Sequence, residues 1–204
     1  MDPYTRAMAV SSTMLPLGTK APEFALPDTV SGETVSLSDY YGKRGLLVMF
    51  ICNHCPYVQH VRAELARFGR DYAGADLGMV AISANDPVSY PDDSPEMMKR
   101  EAETYGYTFP YLYDQDQTVA AAYTAMCTPD FFLFDENREL VYRGRFDETR
   151  PNMGATATGG DLRAAVDAML AGEPVSEEQW PSMGCSIKWK PGNTPAYFGA
   201  LTIH

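Results

Sequence analysis

The stretch Gly45–Tyr72, GLLVMFICNHCPYVQHVRAELARFGRDY, decides how this chain is organised. Leu46–Ile51 is an unbroken apolar run, too short for a helix and suited to a strand buried on both faces. Cys52-Asn53-His54-Cys55-Pro56 follows. Beyond it Val58, Val61, Leu65, Phe68 and Tyr72 recur at helical spacing, with Arg62, Glu64 and Arg67 off that stripe. Gly74 stands where such a helix would stop. Two cysteines three positions apart thus sit where a central strand hands over to a helix N-terminus.

Unpaired N–H groups and the positive end of the helix dipole favour an anion there. A cysteine so placed can have its pKa lowered from about 8.5 to roughly 3.5–7.5, giving a thiolate at neutral pH. Cys52 is expected to attack and Cys55, one turn on, to resolve the mixed disulfide. His54, when protonated, would favour the thiolate further and make the dithiol more oxidising. Pro56 suits a first helical turn, where its missing N–H matters least. A buried apolar pair, a structural disulfide and half of a zinc site are the competing readings. Zinc pairs usually sit on short turns with a second CxxC or CxxH, and this chain has no second pair.

Two further motifs stand downstream, Cys127-Thr128-Pro129-Asp130-Phe131-Phe132-Leu133-Phe134 and Gly184-Cys185-Ser186-Ile187-Lys188-Trp189-Lys190. Together with strand–CNHCP–helix they resemble the peroxiredoxin-like proteins of the thioredoxin family, in the alkyl hydroperoxide reductase and thiol-specific antioxidant group. The resemblance runs from about Leu17 to Lys190. It implies a thioredoxin-like α/β fold, a mixed central sheet flanked by helices with an added N-terminal β-hairpin. It also implies a cis peptide at Thr128-Pro129, facing the dithiol, where the main chain of Thr128 would hydrogen-bond an extended substrate. One departure matters. Peroxiredoxins place Thr or Ser three residues before the peroxidatic cysteine and Pro seven before it; Met49 and Gly45 stand there in this chain.

The 204 residues make one domain the simplest expectation, preceded by a flexible leader over 1–16 and followed by a tail over 173–204 packed on the 17–172 domain. A net charge of −11 argues against nucleic acid and against an anionic membrane surface. The N-terminus has no apolar signal region and no 18 apolar residues run together, so a cytoplasmic protein is expected. No cofactor is implied.

Pro22–Pro27 and Thr34–Leu37 read as short strands around Ser31-Gly32, and Leu77–Ser83 as a second buried strand. Asn85–Pro95 reads as a simple polar connection. Ser94-Pro95 opens a helix that Gly106 ends. Phe109–Tyr113 is an edge strand because of Pro110. Asp114 and Gln117 suggest a capping box for Thr118–Ala125, and Thr158 and Asp161 a cap for Leu162–Leu170. Asp130–Phe134 and Leu140–Arg143 form a hairpin. Cys127 is equally a small buried filler or a third thiol. Cys185 lacks a packing excuse in an irregular tail and is expected near the dithiol. His60 and the cluster Arg143, Arg145, Lys188 and Lys190 read as solvated charge.

The leading function is a thiol–disulfide oxidoreductase acting on a protein or small-molecule disulfide and served by a reducing system. The alternatives are a weak thiol peroxidase through a Cys52 sulfenic acid, and Cu(I) or Zn binding by CNHC with Cys127 or Cys185 completing the site.

Overall fold

A computed structural model describes residues 9–200. The chain begins with strand β1 (Ala9–Ser11), then the hairpin β2 (Ala25–Pro27) and β3 (Thr34–Ser36), followed by a single 3₁₀ turn over Leu37–Tyr40. The core follows as β4 (Gly45–Phe50), α1 (Pro56–Asp71), β5 (Leu77–Ser83), α2 (Pro95–Tyr105) and β6 (Tyr111–Tyr113). Next come α3 (Thr118–Ala122), β7 (Cys127–Thr128), β8 (Asp130–Phe134), β9 (Leu140–Gly144) and α4 (Gly160–Ala171). The tail supplies β10 (Met183–Ser186) and α5 (Ala196–Ala200).

The central sheet has the order β6-β5-β4-β8-β9, with β4, β5 and β6 parallel and the β8–β9 hairpin antiparallel. This is the mixed thioredoxin-like sheet expected from the element order. Along β4 the side chains alternate between two apolar layers, as strand geometry requires. Leu47 and Met49 enter one layer with Val58, Leu65 and Phe68 of α1 and Leu162 and Val166 of α4. Leu46, Val48 and Phe50 enter the other with Phe24, Leu37, Tyr123 and Ile187. A strand buried on both faces therefore needs an uninterrupted apolar run, which is the signal that Leu46–Ile51 carries.

Several local expectations change. Part of the expected leader, Ala9–Ser11, is a strand antiparallel to β10, and Ser12 is buried. The remainder of that leader up to residue 8, like His204, lies outside the described residues. The tail is not wholly irregular, since β10 lies between β1 and β7 in a three-stranded sheet. Its aromatics divide: Trp189 packs on the second layer, while Trp180 is 54% exposed beneath the guanidinium of Arg145. Asp114 caps through the N–H of Ala120, and Gln117 adopts φ 62° and sends its amide to Ala84 and Lys188, so no capping box forms. At α4 the cap is Gly159, held with Thr158 by the carboxylate of Asp147. Among the described residues no helix is long and apolar enough to cross a membrane.

Candidate active site

Strand register brings the first two motifs together. β4 and β8 pair Phe50 with Asp130, so the chains running on past that pair bring Cys52 opposite Thr128. The Cys52 Sγ lies 3.2 Å from Thr128 Oγ1, and the Cys55 Sγ lies 3.2 Å from the Thr128 carbonyl oxygen. The Thr128–Pro129 peptide is cis. Cys55 is the N-cap residue of α1 and Pro56 occupies its first turn. Cys52, Cys55, Cys127 and Cys185 are all free thiols and all buried.

Thr128 does not offer an open edge to a substrate strand. β10 pairs antiparallel with β7, Cys185 opposite Thr128 and Ser186 opposite Cys127. Directly opposed residues share a face of the sheet and their neighbours point the other way. Cys185 therefore shares the dithiol side with Thr128, and its thiol and N–H stand near enough to the Cys55 sulfur to favour a charge there. Cys127 faces away, its thiol turned to the Pro129 carbonyl at 3.7 Å. The structure gathers Cys52, Cys55, Thr128, Pro129 and Cys185, and leaves Cys127 behind them.

The two CxxC sulfurs are electrostatically unlike. Burial alone would push Cys55 up, but hydrogen bonds from the Cys185 and Cys52 thiols and the N–H groups of Val58 and Cys185 bring it down to about 2. The Val58 N–H is a donor of the first helical turn, so the helix start serves the second cysteine rather than the first. Cys52 goes the other way: burial raises it, with Cys55 and the charge of Asp93 adding to the effect against the Thr128 hydroxyl. The two shifts run in opposite directions and favour a single negative charge on the pair, centred on Cys55. Burial also drives the Cys127 thiol up, and Cys185 is driven up by the neighbouring Cys55 first and by burial second.

The loop read as a simple connection supplies the support. Asp93 is fully buried and its carboxylate accepts four N–H groups. Oδ1 takes the main-chain N–H of Asn53 at 2.8 Å and of His54 at 3.2 Å. Oδ2 takes the His54 ring Nδ1 at 2.5 Å and Asn85 Nδ2 at 2.7 Å. Asn53 is held besides by the Tyr111 hydroxyl at 3.1 Å, and His54 stacks on Tyr90 with centroids 4.9 Å apart. Asn85 also accepts the main-chain N–H of Lys188 from the tail at 2.8 Å. Three aspartates among prolines read as a solvated loop, and the sequence holds no spacing that singles out Asp93. Donor atoms of Cys52, His54 and Asp93 lie within 4.8 Å of one another and could meet around one ion. The Asp93 oxygens, though, are already committed to four hydrogen bonds. His60 is half-buried and bonds Thr149 Oγ1 at 2.8 Å, and Arg145 pairs with Asp161, neither reaching a thiol.

Residues 17–143 match the family model described as AhpC/TSA. The chain belongs to the AhpC/TSA family. A solved structure of an uncharacterized conserved protein from Geobacillus kaustophilus is 54% identical, with a TM-score of 0.89, over 91% of this chain and 98% of that one. A protein of Mycobacterium tuberculosis whose name assigns it provisionally to the peroxiredoxins is 33% identical, covering 56% of this chain and 67% of its own. The thiol–disulfide oxidoreductase ResA of Halalkalibacterium halodurans is 27% identical over 61% of this chain and 65% of its own. Members of this family are typically thiol-based oxidoreductases, and the fold of this chain is thioredoxin-like.

Proposed function

We propose that this protein is a thiol–disulfide oxidoreductase whose exchanging sulfur is Cys52 and whose resolving sulfur is Cys55. The observation that carries the reading is the convergence of both sulfurs on Thr128, one on its hydroxyl and one on its carbonyl, at 3.2 Å each.

The charge on Cys55 gives the pair its direction. A low-pKa thiol is the better leaving group and the poorer nucleophile, and a stabilised thiolate makes the reduced form the favoured one. In the oxidised protein a substrate thiolate attacks Cys52 Sγ; a substrate–Cys52 disulfide forms and Cys55 leaves as the stabilised thiolate. A second substrate thiolate then attacks the substrate sulfur, a substrate disulfide forms, and Cys52 leaves and takes a proton. Two electrons pass from two substrate thiols to the Cys52–Cys55 disulfide, which becomes the dithiol. The reverse sequence reduces a disulfide. Asp93, through the N–H groups of Asn53 and His54, fixes the loop between the two sulfurs. With β10 on the Thr128 edge, the substrates that fit are compact thiols and disulfides rather than extended peptides.

Oxidation of a small dithiol and reduction of a small-molecule disulfide, followed with wild type, Cys52→Ser and Cys55→Ser, test the reading. Both variants should lose turnover, and Cys55→Ser should trap a substrate mixed disulfide on Cys52. Turnover surviving in Cys52→Ser would overturn it.

A further inference from the structure

The tail strand occupies the place where the fold would dock an extended substrate, and it carries a thiol. β10 lies antiparallel along β7 with Cys185 in register with Thr128, the residue that both CxxC sulfurs touch. Strand alternation puts the Cys185 side chain on the dithiol side and that of Cys127 on the other. The approach is close: a Cβ at Gly184 would stand 1.9 Å from the Thr128 carbonyl oxygen, so only glycine lets β10 lie this near. The strand is also fastened at both ends. Ile187 N–H bonds the Met126 carbonyl at 3.0 Å, Ser12 N–H bonds the Ser182 carbonyl at 3.0 Å, and Asn85 ties Lys188 to Asp93. Cys185 itself is 3% exposed, in the same apolar layer as Cys52 and Cys55. A buried thiol held there by main-chain pairing stands as a substrate cysteine would stand.

We infer that Cys185 is a built-in exchange partner of the dithiol, which moves the disulfide from Cys52–Cys55 to Cys55–Cys185. The Cys185 sulfur, having released its proton, attacks Cys55 Sγ. The Cys55–Cys185 bond forms, the Cys52–Cys55 bond breaks, and Cys52 leaves as a thiolate that takes up a proton. The step is an isomerisation, so the protein neither gains nor loses electrons and no outside oxidant enters it. Its product keeps the oxidising equivalent in the tail and returns Cys52 as a free thiol on the loop side. The inference rests on the oxidoreductase reading for the formation of the first disulfide.

Disulfide mapping by peptide mass spectrometry separates the two. Wild type, Cys52→Ser, Cys52→Ala, Cys127→Ser and Cys185→Ser are oxidised with one equivalent of oxidised glutathione, and thiols are trapped at low pH. Wild type should give Cys52–Cys55 together with Cys55–Cys185, and Cys185→Ser only the former. Both Cys52 variants should form Cys55–Cys185 as their main intramolecular disulfide, and Cys127→Ser should repeat the wild-type map. Cys52 variants that stay reduced or merely glutathionylated, while wild type forms Cys52–Cys55, would overturn the inference and leave the oxidoreductase reading standing. Absence of Cys52–Cys55 from wild type and Cys185→Ser alike would sink that reading as well.

Discussion

At the scale of single residues, the protein turns on which of the two sulfurs the nearby hydrogen-bond donors serve. The helix start and the tail thiol are spent on Cys55, and Cys52 is left with a hydroxyl and an unfavourable carboxylate nearby. A pH dependence follows with a definite sign. If Cys55 in the reduced protein stays ionised above about pH 2 while Cys52 stays protonated, reducing the disulfide takes up two electrons and one proton. The potential should then fall with rising pH by about 30 mV per unit, since a tenfold change in a two-electron equilibrium is about 30 mV. Two ordinary thiols would take up two protons and double the slope. Redox titration against glutathione between pH 5 and 8 decides between them, and the steeper slope would refute the charge on Cys55. Residue identity also speaks to peroxide. The position three before Cys52 is Met49, fully buried in β4 between Ala81 and Phe131, so that position supplies no hydroxyl, and the hydroxyl beside Cys52 is that of Thr128. Acid–base and hydrogen-bonding assistance of this kind is typically worth about 10²–10⁴-fold. Hydrogen peroxide consumption should be slow by that order, and a rate constant near the diffusion limit would show that assistance comes from elsewhere.

At the scale of elements, the site is a meeting of β4, β7 and β10, braced by the loop before α2. Replacing Gly184 with Ala drives a methyl group into the Thr128 carbonyl, and backbone cannot give way as a flexible side chain can. β10 should lift, and iodoacetamide should label Cys185 in the folded variant many times faster than in wild type; equal rates would mean the strand is not held by that contact. Asp93→Ala leaves two main-chain N–H groups, a ring N–H and an amide without their acceptor in a buried place. Each unsatisfied group costs roughly 1–3 kcal/mol, so urea unfolding should show a loss of several kcal/mol, smaller in Asp93→Asn, which keeps one acceptor. These two elements also mark where the sequence stops being legible. β4, α1, β5 and the β8–β9 hairpin announce themselves through apolar period and turn residues. β10 does not: Met-Gly-Cys-Ser has neither alternation nor length, and becomes a strand because β1 and β7 pair with it on both sides. Asp93 was hidden likewise, its role set by which loop the fold carries over Cys52.

At the scale of the whole molecule, the central sheet is sealed by two apolar layers, and the tail enters both, Cys185 the first and Ile187 with Trp189 the second. The residues beyond α4 held enough large apolar side chains to predict that the tail lies down on the domain, but not which of them would be covered. Trp180 and Ile187 make the distinction measurable. Ile187 is 3% exposed and packs in the layer with Phe50, Tyr123 and Phe132; Trp180, although larger, is 54% exposed. Truncating a buried Ile to Ala typically costs about 2–5 kcal/mol, through lost transfer energy and the cavity left behind. In a chain of this size 1 kcal/mol corresponds to roughly 2–4 °C in Tm, so Ile187→Ala should melt on the order of 4–20 °C lower. An exposed side chain away from such features changes stability by about 0.5 kcal/mol or less, and Trp180→Ala should melt within roughly 2 °C of wild type. The contrast follows from burial alone, because on size or hydrophobicity the tryptophan would be the costlier loss. The same displacement should reach the site, since Ile187 is two residues from Cys185 and its N–H is bonded to Met126, next to Cys127. Ile187→Ala should therefore also speed alkylation of Cys185, whereas Trp180→Ala should leave it unchanged. Equal melting temperatures for the two variants would mean that the tail is carried by the domain without being part of its core.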